Sequence, residues 1–363
     1  MGFTMFLPQP TLEVQGRKIG ENNPTYFIAD IAANHDGDLE RAKDLIYLAA
    51  EAGADAAKFQ HFQAESIVSD YGFKSLKTQQ SHQAKWKDPV FNVYKAASVN
   101  LDWTATLKET CERAGIPFFT TPYALDLVDC LDAHVPAYKI GSGDITWLEM
   151  IELVASKQKP YFLATGASTA DEVHRAVCAA LAINPQFALM QCNTNYTASL
   201  DNFKHIQLNV LKTYRAMYPD MVLGLSDHTP GHATVLGAVA LGARMIEKHF
   251  TDDVNRVGPD HAFSMDPRTW REMVDRTGEL EHALGNGIKK VEENESQTVI
   301  LQRRSVRLAH DMVAGAVIEA KDLEVLRPCP LDGLQPYRIS EVVGKKLRQA
   351  KVAGEHLRIS DIE

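Results

Sequence analysis

A chain of 363 residues, 45% hydrophobic and 23% charged, can bury a large core without disulfide support, which excludes a disordered or disulfide-dependent chain. Its formal charge of -9 comes with no basic tract, which argues against nucleic acid as the main partner. The charge leaves a small anionic substrate open, because a few lysines in a cleft set the local field.

The elements follow in chain order. A short apolar patch, Phe3 to Leu7, is broken at once by Pro8 and is too short for a signal-peptide core. Tyr26 to Ile31 reads as a strand, and Leu39 to Ala52 as a helix opened by Asp38 and closed by Gly53. Asp55 to Phe59 is a second strand. From Gln60 to about Asn100 the chain is polar and aperiodic, as expected of a long functional or mobile loop. Strands are then predicted at Pro117 to Thr121, Ala137 to Ile140, Tyr161 to Thr165, Phe187 to Cys192, Val222 to Leu225 and Met245 to Lys248. Helical stretches lie between them, and Pro267 to Leu284 is a last helix. About eight β/α units imply a closed parallel (β/α)8 TIM barrel over residues 1–284. A doubly wound open sheet is the alternative, but no G-x-G-x-x-G follows the first strand. Residues 285–302 read as a polar linker, and 303–363 as a small domain of short strands separated by turns such as Ala314-Gly315 and Ala353-Gly354.

The five cysteines are odd in number, widely spaced and free of any C-x-x-C pair, which fits a reducing cytoplasm better than a disulfide framework or a zinc site. No apolar run reaches membrane-spanning length.

Barrel enzymes gather their chemistry where strands end. The polar residues at those ends are Asp30, Lys58, Thr121, Lys139, Ser142, Thr165, Asn193, Ser226, His228 and His249. A single lysine there is most simply a solvated or salt-bridged residue, but a set at one end of successive strands weakens that reading. Lys58 and Lys139, with hydroxyls from Ser142, Thr165 and Ser226, suit a small molecule carrying a phosphate and a carboxylate. The glycines of Gly141-Ser142-Gly143 would allow close backbone approach. His228 and His249 end two successive strands and could share one divalent metal. Plain hydrogen bonding is the competing role for them, and His35, His232 and His261 are rival ligands. Asp30, Asp144 and Asp260 are candidates for proton transfer, although Asp144 could instead cap a helix starting near Thr146.

These residues lie in segments that resemble the sialic acid synthase family. The segments are Ile28 to Gly37 (IADIAANHDG), Ala52 to Gln60 (AGADAAKFQ), Tyr138 to Asp144 (YKIGSGD), Gly224 to Thr229 (GLSDHT), Glu247 to Thr251 (EKHFT) and Gly258 to Ser264 (GPDHAFS). The tail, with Arg303-Arg304-Ser305, Arg327-Pro328 and Val343-Gly344-Lys345-Lys346, is similar to the family's SAF (antifreeze-like) domain. The resemblance covers nearly the whole chain. It implies a TIM barrel followed by a small, mostly β SAF domain, and an enzyme that joins phosphoenolpyruvate to an N-acetylated sugar aldehyde with release of phosphate.

By that resemblance His228 and His249 hold Mn2+ or Mg2+. Lys58, Lys139, Ser142 and Ser226 bind phosphoenolpyruvate, with Thr121 and Thr165. Gln60 and Asp260 sit near metal-bound water or the acceptor, Asn193 and Tyr196 belong to the substrate site, and Asp30 and Asp144 join Asp260 as catalytic carboxylates. The acceptor implied is N-acetylmannosamine-like or a diacetamido-trideoxyhexose, as for sialic, legionaminic or pseudaminic acid. The assembly implied is a domain-swapped homodimer in which Arg327, with Arg338 as rival, reaches the neighbouring chain's sugar.

The sequence departs from the family pattern at Asp30 and Asp144, where Glu is common. It departs again at Gln191 to Tyr196, where a His-Cys-Thr form is usual, and after Arg327-Pro328, where Cys329 to Gly333 replaces a glycine pair. Each shortened carboxylate is retracted by about 1.5 Å, one bond length. These departures bear on the acceptor more than on phosphoenolpyruvate. They also motivate two alternatives, a member acting on another sugar aldehyde and a catalytically retired sugar-binding homologue.

Overall fold

The computed structural model describes residues 6–76, 83 and 86–363. The chain forms two compact units, one ending at Gly285 and the other spanning Asn286–Glu363.

The first unit opens with an antiparallel hairpin, β1 (Thr11–Val14) and β2 (Arg17–Gly20), which the sequence reading did not identify. A closed barrel of eight parallel strands follows: β3 (Tyr26–Asp30), β4 (Ala56–His61), β5 (Phe118–Pro122), β6 (Tyr138–Ile140), β7 (Tyr161–Ala164), β8 (Phe187–Cys192), β9 (Val222–Asp227) and β10 (Met245–His249). β10 pairs with both β9 and β3, which closes the ring. The outer helices are α1 (Leu39–Glu51), α2 (Ala64–Ile67), α3 (Asp70–Ser75), α4 (Val90–Ala97), α5 (Thr104–Ala114), α6 (Leu125–Leu131), α7 (Leu148–Ser156), α8 (Ala170–Leu181), α9 (Val210–Met217), α10 (Ala233–Ala240) and α11 (Pro267–Leu284). None among the described residues is long and apolar enough to cross a membrane.

Local chemistry explains the boundaries. The Asp38 side chain accepts from the backbone N–H groups of Glu40 and Arg41 and so starts α1. Ala42, Leu45, Ile46 and Ala49 form its buried stripe, and Gly53 at φ +94° turns the chain away. Thr169 and Glu172 make a reciprocal capping box at the start of α8.

Two corrections concern organisation. The stretch predicted as a long loop carries α2, α3 and α4; residues 77–82, 84 and 85 of it lie outside the described residues, as do Phe3 to Met5 of the N-terminal patch. Asp144 caps no helix: α7 begins at Leu148 behind Trp147, and Asp144 lies in a 3-10 turn.

Side chains alternate between two cores, as a period of two along each strand requires. Outward residues such as Phe27, Phe59, Leu163 and Leu189 pack against the helices. Inward residues Tyr26, Ile28, Phe119, Phe162, Met190 and Met245 form a second core inside the barrel. Leu12, Val14 and Ile19 of the hairpin belong to that inner cluster and close the N-terminal end of the barrel. Leu12 is 1% exposed, so Leu12→Ala should lower unfolding free energy by about 2–5 kcal/mol in chemical denaturation, by lost burial plus a cavity.

The second unit contains α12 (Ser296–Gln302) and an antiparallel pair, β11 (Ser305–Leu308) and β12 (Leu323–Leu326). Its own core holds Val306, Leu308, Ile318, Leu334, Val342, Leu347 and Leu357.

Candidate active site

Following the inward positions up each strand gives a change of chemistry. β3 runs Tyr26, Ile28, Asp30; β4 runs Ala56, Lys58, Gln60; β10 runs Met245, Glu247, His249. Lys139, Cys192, Ser226 and His228 complete the same level on β6, β8 and β9. Apolar side chains fill the bottom, and charged or polar ones line a small pit of about 30 Å3 above them. The pit shares Gln60, Tyr123, Gly141, Ser142, Tyr196 and His249 with an outer chamber of about 400 Å3, which Phe62, Tyr94, Asp144, Thr194 and Asp260 also line.

The two lysines are buried and paired. Lys58 Nζ lies 2.7 Å from Asp30 Oδ2 and donates to Thr121 Oγ1 at 3.4 Å. Lys139 Nζ lies 2.6 Å from Glu247 Oε1, which also accepts from Ser226 Oγ at 3.2 Å. Burial pushes the Asp30 carboxyl up, but the Lys58 ammonium beside it holds it below its ordinary value. Gln60 Nε2 donates to the same carboxylate at 2.9 Å. The second oxygen of Glu247 is buried without a partner among the described residues.

The histidines face each other with ring centroids 5.3 Å apart, and Tyr196 covers His228 at 4.3 Å. Burial drives His249 down to about 3, so its imidazole is neutral; its Nδ1 has no hydrogen-bond partner among the described residues and lies 3.8 Å from Asp260. His228 Nδ1 donates to the Asn193 carbonyl at 3.0 Å, which leaves Nε2 as the nitrogen for its side-chain contact with the Cys192 thiol. Burial lowers the His228 pKa, but the Cys192 sulfur and the Asn193 carbonyl raise it above its ordinary value. Among the described residues no three His, Cys, Asp or Glu side chains form a metal-ligand cluster.

The rival ligands are placed elsewhere. His261 uses Nδ1 toward Thr251 and Nε2 toward Asp36, at 2.8 and 3.0 Å. His35 Nδ1 accepts from Gly37 N, and His232 lines neither the pit nor the chamber.

Two carboxyls are pushed up to about 6, Asp144 by burial alone and Asp260 by burial first, against the Ala33 N–H that holds it down. Asp144 Oδ2 is buried at the chamber wall with no hydrogen-bond partner among the described residues. Ionised, a carboxyl in that position accepts at both oxygens with the strength its charge adds; protonated, it loses that charge and turns one oxygen into a donor. The apparent affinity for a ligand that donates to this carboxyl should therefore fall as pH drops through about 6. Asp144→Asn should flatten that limb in a KM-against-pH series; an unchanged limb would assign it to another group.

Asp30, Lys58, Gln60, Thr121, Lys139, Ser142, Tyr196, Ser226, His228, His249, Asp144 and Asp260 are thus brought together. Thr165 and Asn193 are not. Thr165 Oγ1 donates to Met190 O and accepts from Tyr214 Oη, and Asn193 Nδ2 donates to His205 O. Each lies one residue past an inward position, Ala164 and Cys192, so its side chain turns out of the pit. Sequence reasoning missed Glu247, Cys192, Tyr123 and Gly166. Counting back two residues from His249 and on two from Met190 would have found the first two. At Gly166 any side chain would collide with the Thr194 hydroxyl, and its N–H donates to Ser142 Oγ at 2.9 Å. Of the Gly141-Ser142-Gly143 stretch, Gly141 has Tyr123 against it, where an added carbon would stand 3.1 Å from Tyr123 Oη, and Gly143 faces open space. In the second unit Arg327 is exposed, and Arg338 is ion-paired with Glu341 at 2.7 Å.

Comparison with known proteins gives two family matches, NeuB family over residues 45–289 and SAF domain over residues 303–363. The chain is 35% identical to an N,N'-diacetyllegionaminic acid synthase of Legionella pneumophila over 350 residues, 95% of this chain and 96% of that protein. It is 30% identical to the human N-acetylneuraminate-9-phosphate synthase over 92% of this chain and 91% of that one. The crystal structure of an N-acetylneuraminic acid synthetase from Leptospira borgpetersenii, in complex with citrate, superposes with a TM-score of 0.70 at 30% identity, covering 81% of this chain and 96% of that one.

Proposed function

The chain belongs to the NeuB family, and on that premise we propose that it condenses phosphoenolpyruvate with an N-acetylated sugar aldehyde to give a nonulosonic acid and phosphate. The observation that carries this reading is the pit itself: two buried, carboxylate-paired lysines beside two facing histidines, at the C-terminal end of a closed barrel. In the pit the charges of Lys58 and Lys139 are balanced by Asp30 and Glu247. An incoming phosphate and carboxylate compete for those ammonium groups, with hydroxyls of Thr121, Ser142 and Ser226 in reach.

The neutral His249, with its unpartnered Nδ1, and the Nε2 of His228 fit a divalent ion such as Mn2+ or Mg2+. When bound, that ion supplies Lewis-acid polarisation of the acceptor's aldehyde oxygen. The lysines hold the enol phosphate so that its methylene carbon meets the aldehyde carbon, forming the new C–C bond. Asp260, which carries its proton up to about pH 6, is placed to deliver it to the developing alkoxide. Water then adds to the cationic C2 and Asp30, held ionised by Lys58, takes one of its protons; the C2–O bond to phosphate then breaks as the C2 hydroxyl becomes the ketone, its proton leaving on the phosphate. The lysines stabilise the redistributed charge in a site built before the reaction begins.

The chamber lined by Asp144, Tyr94, Tyr123 and Tyr196 is our acceptor site, for an N-acetylmannosamine-like sugar or a diacetamido-trideoxyhexose. A domain-swapped homodimer in which Arg327 serves a neighbouring chain's acceptor belongs to the same proposal; Arg327 is exposed and has no ion-pair partner among the described residues. So does a reducing cytoplasm, in keeping with five free cysteines.

A phosphate-release assay with phosphoenolpyruvate, Mn2+ and a panel of N-acetylated aldehydes tests the function. Acceptor-dependent release is expected. Binding of phosphoenolpyruvate without release from any acceptor would favour the retired homologue that the two shortened carboxylates suggest. In the same panel Asp30→Glu with Asp144→Glu should change the preferred acceptor.

A further inference from the structure

Among the described residues three lysine–carboxylate pairs of the barrel are buried on both sides, and two of them line the pit. The third, Asp227 with Lys248, has both side chains 1% exposed and points the other way. Alternation explains the direction. Ser226 and His228 face inward and Asp227 outward; Glu247 and His249 face inward and Lys248 outward. Asp227 and Lys248 are direct partners in the β9–β10 register, just as Ser226 and Glu247 are on the inner face.

The cluster is fully connected. The Asp227 carboxylate accepts from Lys248 Nζ, from Thr229 Oγ1 at 2.8 Å, from Thr234 Oγ1 at 2.7 Å and from Thr229 N at 3.2 Å. Lys248 also donates to Thr229 O at 2.6 Å. These bonds tie the end of β9, the turn after it, the first turn of α10 and the end of β10 into one unit. A buried ion pair is seldom retained for net stability, because desolvation offsets the attraction, and a well-packed apolar pair often does as well. What this pair does contribute is a fixed relation between two strand ends. The next residue on each strand is one of the two histidines.

We infer that the Asp227–Lys248 pair, buttressed by Thr229 and Thr234, is a clamp that positions His228 and His249 to share one divalent cation. The inference rests on the metal reading given above. The clamp residues are positioning groups: neither lines the pit or the chamber, and neither approaches a reacting atom.

The test uses the full chain and Mn2+ alone, read by calorimetry and electron paramagnetic resonance, with thermal unfolding and phosphoenolpyruvate binding measured alongside. The double variant D227N/K248M removes both charges at nearly constant volume. It should bind Mn2+ at least about tenfold more weakly, the usual scale for outer partners of metal ligands, with phosphoenolpyruvate affinity unchanged. Thr234→Val removes one hydrogen bond from the carboxylate and should give a smaller loss, about threefold, which decides the matter if the double variant does not fold. Wild-type Mn2+ affinity in a folded double variant, or in Thr234→Val when that is the variant that folds, overturns the clamp. So does a parallel loss of phosphoenolpyruvate binding, which would mean general distortion of the barrel mouth. If the wild type itself binds no Mn2+, the metal reading falls and the clamp with it.

Discussion

Replacing His249 by alanine should reduce kcat at saturating Mn2+ by about 10^3-fold or more, with the fold intact. The imidazole is buried and neutral, so its removal takes no charge from the pit. The two lysine–carboxylate pairs do not depend on it for a hydrogen bond, and phosphoenolpyruvate affinity should change by less than about threefold. The loss should therefore fall on the chemical step and on Mn2+ affinity together. His228→Ala should behave alike, with some added loosening of the Asn193 loop that its Nδ1 now holds. Chelation of the wild type should reproduce the defect and Mn2+ should reverse it. The decisive measurement pairs kcat with metal content: full turnover in His249→Ala protein shown to be metal-free would remove the ion from the mechanism.

The barrel was legible in the sequence because its strands and helices obey two different periods, and caps such as Asp38 and Gly53 mark the change between them. The hairpin Thr11–Gly20 was not, since its short alternation becomes meaningful only when the barrel floor it covers is known. The helices after β4 were read as loop because α2 and α3 are four and six residues long and show no full amphipathic repeat. In the site, motif position and chemical type single out lysines, histidines and aspartates that line the pit and the chamber. Thr165 and Asn193 line neither, each standing one residue past an inward position. What a list of motifs leaves out is the partner: Glu247 was in view, but nothing local says that its carboxylate meets Lys139, 108 positions away in the chain.

That pairing shapes the second large effect. Lys139→Met should weaken phosphoenolpyruvate binding by at least about 100-fold, or ~2.7 kcal/mol, because it removes one of two buried cations from an anion site. It should also destabilise the fold by about 3–5 kcal/mol, because it strands the Glu247 carboxylate, 5% exposed, with the Ser226 hydroxyl and no cation within bonding distance. The two losses have different origins, and a second substitution separates them. Adding Glu247→Gln removes the uncompensated charge and leaves an amide that Ser226 can still engage. Stability, followed by chemical denaturation, should then recover by most of what was lost. Phosphoenolpyruvate affinity, followed by calorimetry, should stay low, because the ligand's missing cation is not replaced. Recovery of both in the double variant would mean that Lys139 serves only to neutralise Glu247, and that the anion is held by Lys58 and the hydroxyls alone. Recovery of neither would mean that the ion pair organises the pit as a unit, with Glu247 holding Lys139 in place for the ligand.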